Sequence, residues 1–570
     1  MKQIELLAPA GSMANLKAAI SRKADAVYLG LNLFSARAFA SNFNETSLKK
    51  AVNLCKANNV KLYLTMNTLV KDNELKDFFS QLSSAYSAGI DAVIIQEISF
   101  LNIIKKNFPD LRVHISTQAG VINSEHANIL PAADRITLAR ELTNTEIRTI
   151  KNNCRKELEV FCHGALCVSV SGSCLFSSLL GGRSGNRGQC AQPCRKKYNN
   201  CYHLSLKDLC LIDRIPSLIA AGVDSLKIEG RMRTPYYVAA ATEVYRKAID
   251  SYYAGDFTVT QEMKKKLYDA FNREFTEGWF SESKLMFNRE SASGKSSVPQ
   301  KEEYTAVSKE TLINRKKITP VLPEIKKLSS PGKTLTVRVY RKKDAYSAAS
   351  SGADIIVMDL LDPNFKDIKG KIKAKLFAAT PRIMLDSDIP AILKLIKEKK
   401  PDGIFAGNLG ILNLNLNIPV ILDYNSNSFN TYDINYFNKL GAVPVISPEL
   451  SIKEQSMLSD KRFISFVHGK IKLMTLRHEL KEEIVYDETR SGFRINKIPN
   501  GSEVLNGKEL GLLGKSSVLV RNGITNLFVD TDTNVSGVIN FYRDVLDGKK
   551  VDDSKMRKSY VLGWSYRGVI

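Results

Sequence analysis

The stretch Glu5–Gly30, ELLAPAGSMANLKAAISRKADAVYLG, decides the fold. A short apolar run, Ile4–Leu7, passes through Pro9-Ala10-Gly11 into an amphipathic segment, Met13–Arg22, and then into a second apolar run, Ala26–Leu29. Apolar runs without alternation suit parallel strands covered on both faces, and a helical period between two of them makes a βα unit. The unit repeats outward along the chain. Strands are expected at Leu62–Met66, Ala92–Gln96, Arg112–Ser116, Arg135–Leu138, Leu158–Cys162 and Ser225–Ile228, with helices such as Ser47–Asn58 and Asn73–Ala88 between them. Eight such strands predict an α/β fold, a TIM-like (β/α) barrel over residues 1–287.

A Lys-rich, Pro-punctuated linker is expected over 288–333, and then the pattern begins again. Leu335–Asp359 echoes Glu5–Gly30, and Phe466-Val467-His468-Gly469 echoes Phe161-Cys162-His163-Gly164. Asn506–Gly511 echoes Ser205–Cys210, and Gly523–Asp530 echoes Gly222–Glu229. Matches in the same order predict an internal duplication, with a degenerate second barrel-like domain over 334–570. The second copy has Lys472 at the place of Cys167, Glu479 at Cys174 and Gly511 at Cys210, so no cysteine loop is expected there. Scaffolding, shielding or holding a partner are its expected roles.

At 570 residues, with 44% hydrophobic, the chain is long enough for two large cores. Its apolar runs fall short of the roughly 20 residues of a membrane helix, and Met1–Glu5 lacks the apolar segment of a signal peptide. A cytoplasmic protein without a membrane partner is expected. Nine cysteines in such a chain point to metal or thiol chemistry rather than disulfides. The net charge of +23 (82 basic minus 59 acidic residues) favours polyanions by counterion release, or else reflects a Lys-rich composition with solvated lysine faces.

About 40 residues, 164–203, separate the seventh strand from its helix, and loops of that length are usually functional. Cys167, Cys174, Cys190 and Cys194 are spaced C-x(6)-C-x(15)-C-x(3)-C. Structural zinc prefers two close cysteine pairs. Four soft thiolates along one loop suit an iron–sulfur cluster better, with Cys210 a rival of Cys194 for the fourth place. Cys55, Cys154 and Cys201 read as ordinary cysteines. Phe161–Leu206 contains no Asp or Glu but carries Arg183, Arg187, Arg195, Lys196 and Lys197, a cationic loop suited to a carboxylate or phosphate.

In a barrel of this kind chemistry sits at the C-terminal ends of the strands. Those ends carry Asn67, Gln96, Glu97, Gln118, Arg140, His163, Glu229 and Arg231. His163 and Glu229 are the titratable candidates for catalysis. Asn67, Gln96, Gln118, Arg140, Arg183, Arg187 and Arg231 are candidates for binding an anionic substrate.

These segments resemble peptidase family U32, the collagenase-like proteases. The resemblance is carried by Leu7–Gly11, Phe34–Arg37, Ser116–Gln118, Leu138–Leu142, Glu159–Cys174, Arg183–Arg195, Ser205–Cys210, Ser225–Arg231 and Phe271–Gly278. It implies more than proteolysis. Better-understood relatives are oxygen-independent hydroxylation factors for tRNA, ribosomal RNA or the ubiquinone ring. They hold a four-iron, four-sulfur (4Fe-4S) cluster on this cassette, and prephenate is implicated as hydroxyl source. The chain departs from the pattern in Glu97, where many relatives have Asp, and in its linker, where longer members carry a small β domain.

The expected function is therefore hydroxylation of a tRNA or rRNA base, by an enzyme or a subunit working with a partner. A peptidase is the alternative, although neither H-E-x-x-H nor G-x-S-x-G occurs. A non-catalytic accessory factor is the third reading.

Overall fold

The computed structural model describes residues 3–38, 40–282, 285–291, 293–296, 303–309, 315–554, 560–563 and 565–569; parts of the expected linker lie outside them. The chain divides into two units, Met1–Gly172 with Gly185–Leu322, and Ser173–Ser184 with Pro323–Ile570. The middle of the cysteine loop thus packs with the second unit, and the linker up to Leu322 with the first. Arg315 shows how the linker is strapped down: it donates to the Ile90 carbonyl at 2.6 Å and lies 4.8 Å from the Tyr86 ring centroid.

In the first unit the strands are β1 (Glu5–Pro9), β2 (Ala26–Gly30), β3 (Lys61–Met66), β4 (Ala92–Ile95) and β5 (Arg112–Ile115). They continue with β6 (Arg135–Thr137), β7 (Glu157–Ala165), β8 (Asp208–Cys210), β9 (Ser225–Ile228) and β10 (Phe275–Thr276). Strands β1 to β7 pair in parallel order, and β9 pairs with both β1 and β7, closing an eight-stranded barrel. The expected strands are therefore the ones that form. Strand β8 runs antiparallel to β7, and β10 pairs with β8.

A short acidic signal fixes the connections. Asp25, Asp91, Asp134 and Asp224 each precede a strand, and each carboxylate accepts a neighbouring strand's N–H: Leu6 at 2.7 Å, Leu62 at 2.8 Å, Val113 at 2.7 Å and Leu158 at 2.9 Å. These bonds tie adjacent strands at their starts, where the ladder would leave a donor unmet.

The barrel interior is charged. Arg135 bonds Glu5, Glu157 at 2.8 Å and Glu159 at 3.4 Å; Lys227 bonds Glu159 at 2.8 Å; Thr137 donates to Glu159 at 2.8 Å and Tyr63 to Glu5 at 2.7 Å. Glu159 is 0% exposed and Arg135 2%.

The second unit repeats the plan with β11 (Thr334–Arg338), β12 (Ile355–Asp359), β13 (Lys375–Ala379), β14 (Gly403–Ala406), β15 (Val420–Leu422) and β16 (Ala442–Pro444). It continues with β17 (Ser465–Gly469), an inserted sheet of β18 (Lys472–Leu476), β19 (Ile484–Tyr486), β20 (Gly492–Ile498) and β21 (Gly501–Leu505), then β22 (Leu510–Gly511) and β23 (Asn526–Asp530). The main sheet runs β16 to β11, then β23 and β17, and a Val445–Ile464 bridge brings its two ends together. At the place of the cysteine loop stands the antiparallel sheet β18-β21-β20-β19.

The duplication holds at the level of register. His163 faces Cys210 across β7 and β8, and His468 faces Gly511 across β17 and β22. The β7–β9 ladder shifts register between Phe161 and His163, and β17–β23 does so between Phe466 and His468. Both irregularities are stapled by a tyrosine. Tyr245 donates to the Cys162 carbonyl at 2.7 Å and accepts from Leu211 N–H; Tyr542 donates to the Val467 carbonyl at 3.0 Å and accepts from Leu513 N–H. A further echo emerges from pairing. Thr276 faces Leu209, and Val561 faces Leu510, so Phe275–Gly278 corresponds to Tyr560–Gly563.

Each tyrosine hydroxyl serves two buried backbone groups, so Tyr245→Phe and Tyr542→Phe should each cost about 1–3 kcal/mol in urea unfolding. A loss below about 0.5 kcal/mol in either would contradict the shared staple.

Candidate functional site

The C-terminal ends of β2, β6, β7 and β9 bring together arginines, carboxylates and thiols. Glu229 follows β9 and accepts from Arg37 at 3.1 and 3.3 Å. Burial alone would push Glu229 up, but the guanidinium groups of Arg37, Arg233 and Arg140 outweigh it and hold it below the usual carboxylate range. Arg37 is 38% exposed, so one face of this pair meets solvent.

Arg231 is buried and bonds neutral oxygens: Ser35 at 2.7 Å, Thr65 at 2.9 Å and Asn42 at 2.8 Å. Burial lowers its pKa to about 10. Arg140 lies 4.2 Å from the Phe161 ring centroid, and its buried Nε has no hydrogen-bond partner among the described residues. A guanidinium stacked on a ring keeps its in-plane donors available to an anion. Arg233 stacks 3.4 Å from the Phe271 centroid and reaches Asp208 at 3.4 Å.

The cysteine loop is clamped onto this surface. Arg187 forms a two-pronged pair with Glu74 at 2.9 and 2.6 Å and bonds the Leu69 carbonyl, so it holds the loop rather than a substrate. Gly188, at φ +81°, rests on the Ser35 and Ala36 backbone where a Cβ would collide. Cys190 comes within electrostatic reach of Arg37 and Cys167, and Cys194 within reach of both Cys167 and Cys190. Burial pushes Cys167 up, with Arg140 opposing, and pushes Cys194 up to about 12.

All nine cysteines are free thiols. The donor chemistry of Cys167, Cys190 and Cys194 therefore fits a soft, thiolate-bound group. Among the described residues, no group of three or more His, Cys, Asp or Glu side chains is placed to hold a metal ion. Cys174 lies on the segment that packs with the second unit. Cys210 keeps other company: its sulfur lies 3.9 Å from the Tyr245 hydroxyl oxygen, and burial raises it to about 11.

The remaining candidates are distributed as follows. Asn67 accepts from Ala36 N–H and donates to Ser116 at 3.1 Å; Gln96 donates to the Gln118 carbonyl at 3.4 Å, and its own buried Oε1 has no partner among the described residues. Arg183 is exposed on the segment of the second unit. Glu97 is buried and accepts from Val70 N–H at 2.8 Å. His163 stands inside a cage of Tyr245, Phe275 and Tyr237, with centroids 5.4, 5.5 and 5.9 Å away. Burial lowers its pKa to about 3, so the ring is neutral near neutral pH. Arg37, Arg233 and Lys227 were not singled out by strand-end reading. Arg37 lies in a turn beyond β2, and Lys227 points into the barrel from mid-strand.

Fold and site define a (β/α) barrel protein with a cationic, thiol-bearing mouth. The chain belongs to peptidase family U32, whose profile matches residues 11–289. It is 42% identical over 302 residues to an uncharacterised protease of Methanocaldococcus jannaschii, covering 49% of this chain and 74% of that one. It is 34% identical over 300 residues to tRNA hydroxylation protein P1 of Bacillus subtilis, covering 49% and 71%. It is 35% identical over 313 residues to a collagenase of Porphyromonas gingivalis, covering 50% and 75%. All three matches cover about half of this chain.

The buried neutral histidines set an acid response. Burial drives the pKa of His163 to about 3 and of His126 to about 4, both below the unfolded value near 6.5. Their stability contribution is present above about pH 6.5 and is lost as pH falls through the folded values, at up to about 1.4 kcal/mol per pH unit each. His163→Phe should flatten the dependence by about one proton. A ring NMR titration of His163 near pH 6.5 in the folded protein would contradict this.

Proposed function

We propose that this chain is an iron–sulfur-dependent, oxygen-independent RNA hydroxylation protein acting on a tRNA or rRNA base. The observation that carries the reading is the convergence, at one barrel mouth, of Arg37, Arg140 and Arg231 with the thiols of Cys167, Cys190 and Cys194. The similarity to a tRNA hydroxylation protein supports the same reading.

A 4Fe-4S cluster would be held by the first unit's thiols, Cys167, Cys190 and Cys194, and would supply redox chemistry when bound. Cys194 is preferred to Cys210 because it neighbours Cys167 and Cys190, whereas Cys210 turns to Tyr245. Arg140 and Arg37 offer guanidinium donors to the carboxylates of a donor such as prephenate, and Arg231 adds a buried positive charge behind them. Glu229 orients Arg37 through their paired hydrogen bonds. His163, neutral and caged, packs behind β8 and offers an acceptor nitrogen rather than a charge. Arg315 is committed to Asp110 and Ile90, so phosphate contacts from the linker fall to the exposed Lys316, Lys317, Lys326 and Lys327.

The peptidase reading has the family name and two relatives' names in its favour. It needs an activated nucleophile, and His163, the titratable candidate for its base, is caged by aromatic rings.

Nucleoside mass spectrometry of RNA from cells lacking this protein tests the proposal. One hydroxylated nucleoside should vanish, return with the wild-type chain, and stay absent with Cys167→Ala or Arg140→Leu. An unchanged profile with uncut peptides accumulating would favour the peptidase instead.

A further inference from the structure

A cavity of about 1050 Å³ lies within the second unit. Its walls are the Phe176–Gly181 helix, the start of β20, the turn between β21 and β22, and the segment around Tyr560–Gly563. Phe176 anchors that helix by an edge-to-face contact with Phe493 at 4.9 Å, and Leu175 N–H bonds the Leu473 carbonyl.

The lining carries three cations, Arg490, Lys508 and Lys515, against one acid, Asp553. Among the described residues none of the three cations is paired with a carboxylate. Tyr566, 56% exposed, presents a ring to the cavity, and the Lys515 ammonium lies 5.4 Å from its centroid. The volume stands at the top of the roughly 300–1,000 Å³ range of small-molecule sites, which suits a segment of polymer better than one compact ligand. Unpaired cations beside an exposed aromatic ring are a combination that holds single-stranded nucleic acid, by phosphate neutralisation and base stacking together.

We infer that this cleft binds a single-stranded RNA segment, so that the second barrel is a substrate-docking module. The inference rests on the reading that RNA is the substrate. An acidic peptide would use the cations but leave the tyrosine ring without a stacking partner.

The test uses the full chain and a fluorescent oligouridylate of about ten nucleotides, within the span of single-strand sites. Affinity is read by anisotropy between about 50 and 200 mM salt. Arg490→Ala with Lys508→Ala should weaken binding about tenfold and lower the salt slope by about 1.4. Tyr566→Ala should weaken it about five- to hundredfold, while inorganic polyphosphate binds as before. These side chains are exposed, and unchanged thermal melting would verify that the fold is kept. Wild-type binding that both variants retain would overturn the docking site and leave the RNA reading standing. Equal competition by decaglutamate and oligouridylate, with Tyr566→Ala silent, would overturn it in favour of an acidic peptide. Absence of wild-type binding, with an unchanged nucleoside profile in cells lacking the protein, would overturn both.

Discussion

Glu159, fully buried on β7, is the residue on which the first barrel depends. It receives Lys227 and Thr137 at 2.8 Å and Arg135 at 3.4 Å, and through Arg135 it is tied to Glu5 on the opposite side of the strand order. Burying one unpaired ion costs several kcal/mol, so every charge placed inside the barrel has to find its counter-charge. Such a network tolerates little slippage, because a one-residue shift would turn each inward group outward. It also reaches the site. Lys227 lies 4.5 Å from the Tyr28 centroid and 5.4 Å from that of Phe161, the ring on which Arg140 stacks. The positive field at the mouth is thus continuous with the charges that hold the barrel closed.

The second copy solves the same packing problem with different residues. Ladder register places Phe528 where the first barrel has Lys227, and Phe528 packs against Phe405 and, edge to face, against Phe466, with centroids 5.1 and 5.7 Å apart. Its charges move to the strand ends, where Arg382 pairs with Asp423 at 2.7 Å and Lys472 lies 3.8 Å from Glu503. Lys472 and Glu503 come from β18 and β21, so the inserted sheet supplies the groups that satisfy this end of the barrel. An ammonium stands at the sequence position of the thiol Cys167. The two barrels share a backbone, a histidine and a tyrosine staple, and differ in whether the strand ends are internally neutralised.

Much of this was legible beforehand. The βα rhythm from Glu5 to Ile228 is a local pattern of apolar runs, and local patterns survive folding. The duplication was legible for the same reason, since Phe466–Gly469 and Gly523–Asp530 keep core residues in register. The C-terminal echo of Phe275–Gly278 in Tyr560–Gly563 was missed because the segment is short and follows about 30 residues without a counterpart motif. Arginine partners could not be read at all. Nothing in the spacing separates Arg187, locked onto Glu74, from Arg140, stacked on Phe161. His163 was singled out as titratable, but three aromatic rings distant in sequence decide its charge. The division of the cysteine loop between two units was equally hidden, because it depends on Leu473 and Phe493.

The iron–sulfur cluster proposed for the thiols at the first barrel's mouth is open to direct chemical test. The most direct measurement is iron, acid-labile sulfide and zinc in the full chain purified without oxygen, beside Cys194→Ala and Cys210→Ala. The account predicts iron and sulfide in near-equal amounts, lost in Cys194→Ala and kept in Cys210→Ala. Protein that stays free of iron and sulfide after reconstitution, or that carries stoichiometric zinc, would contradict it.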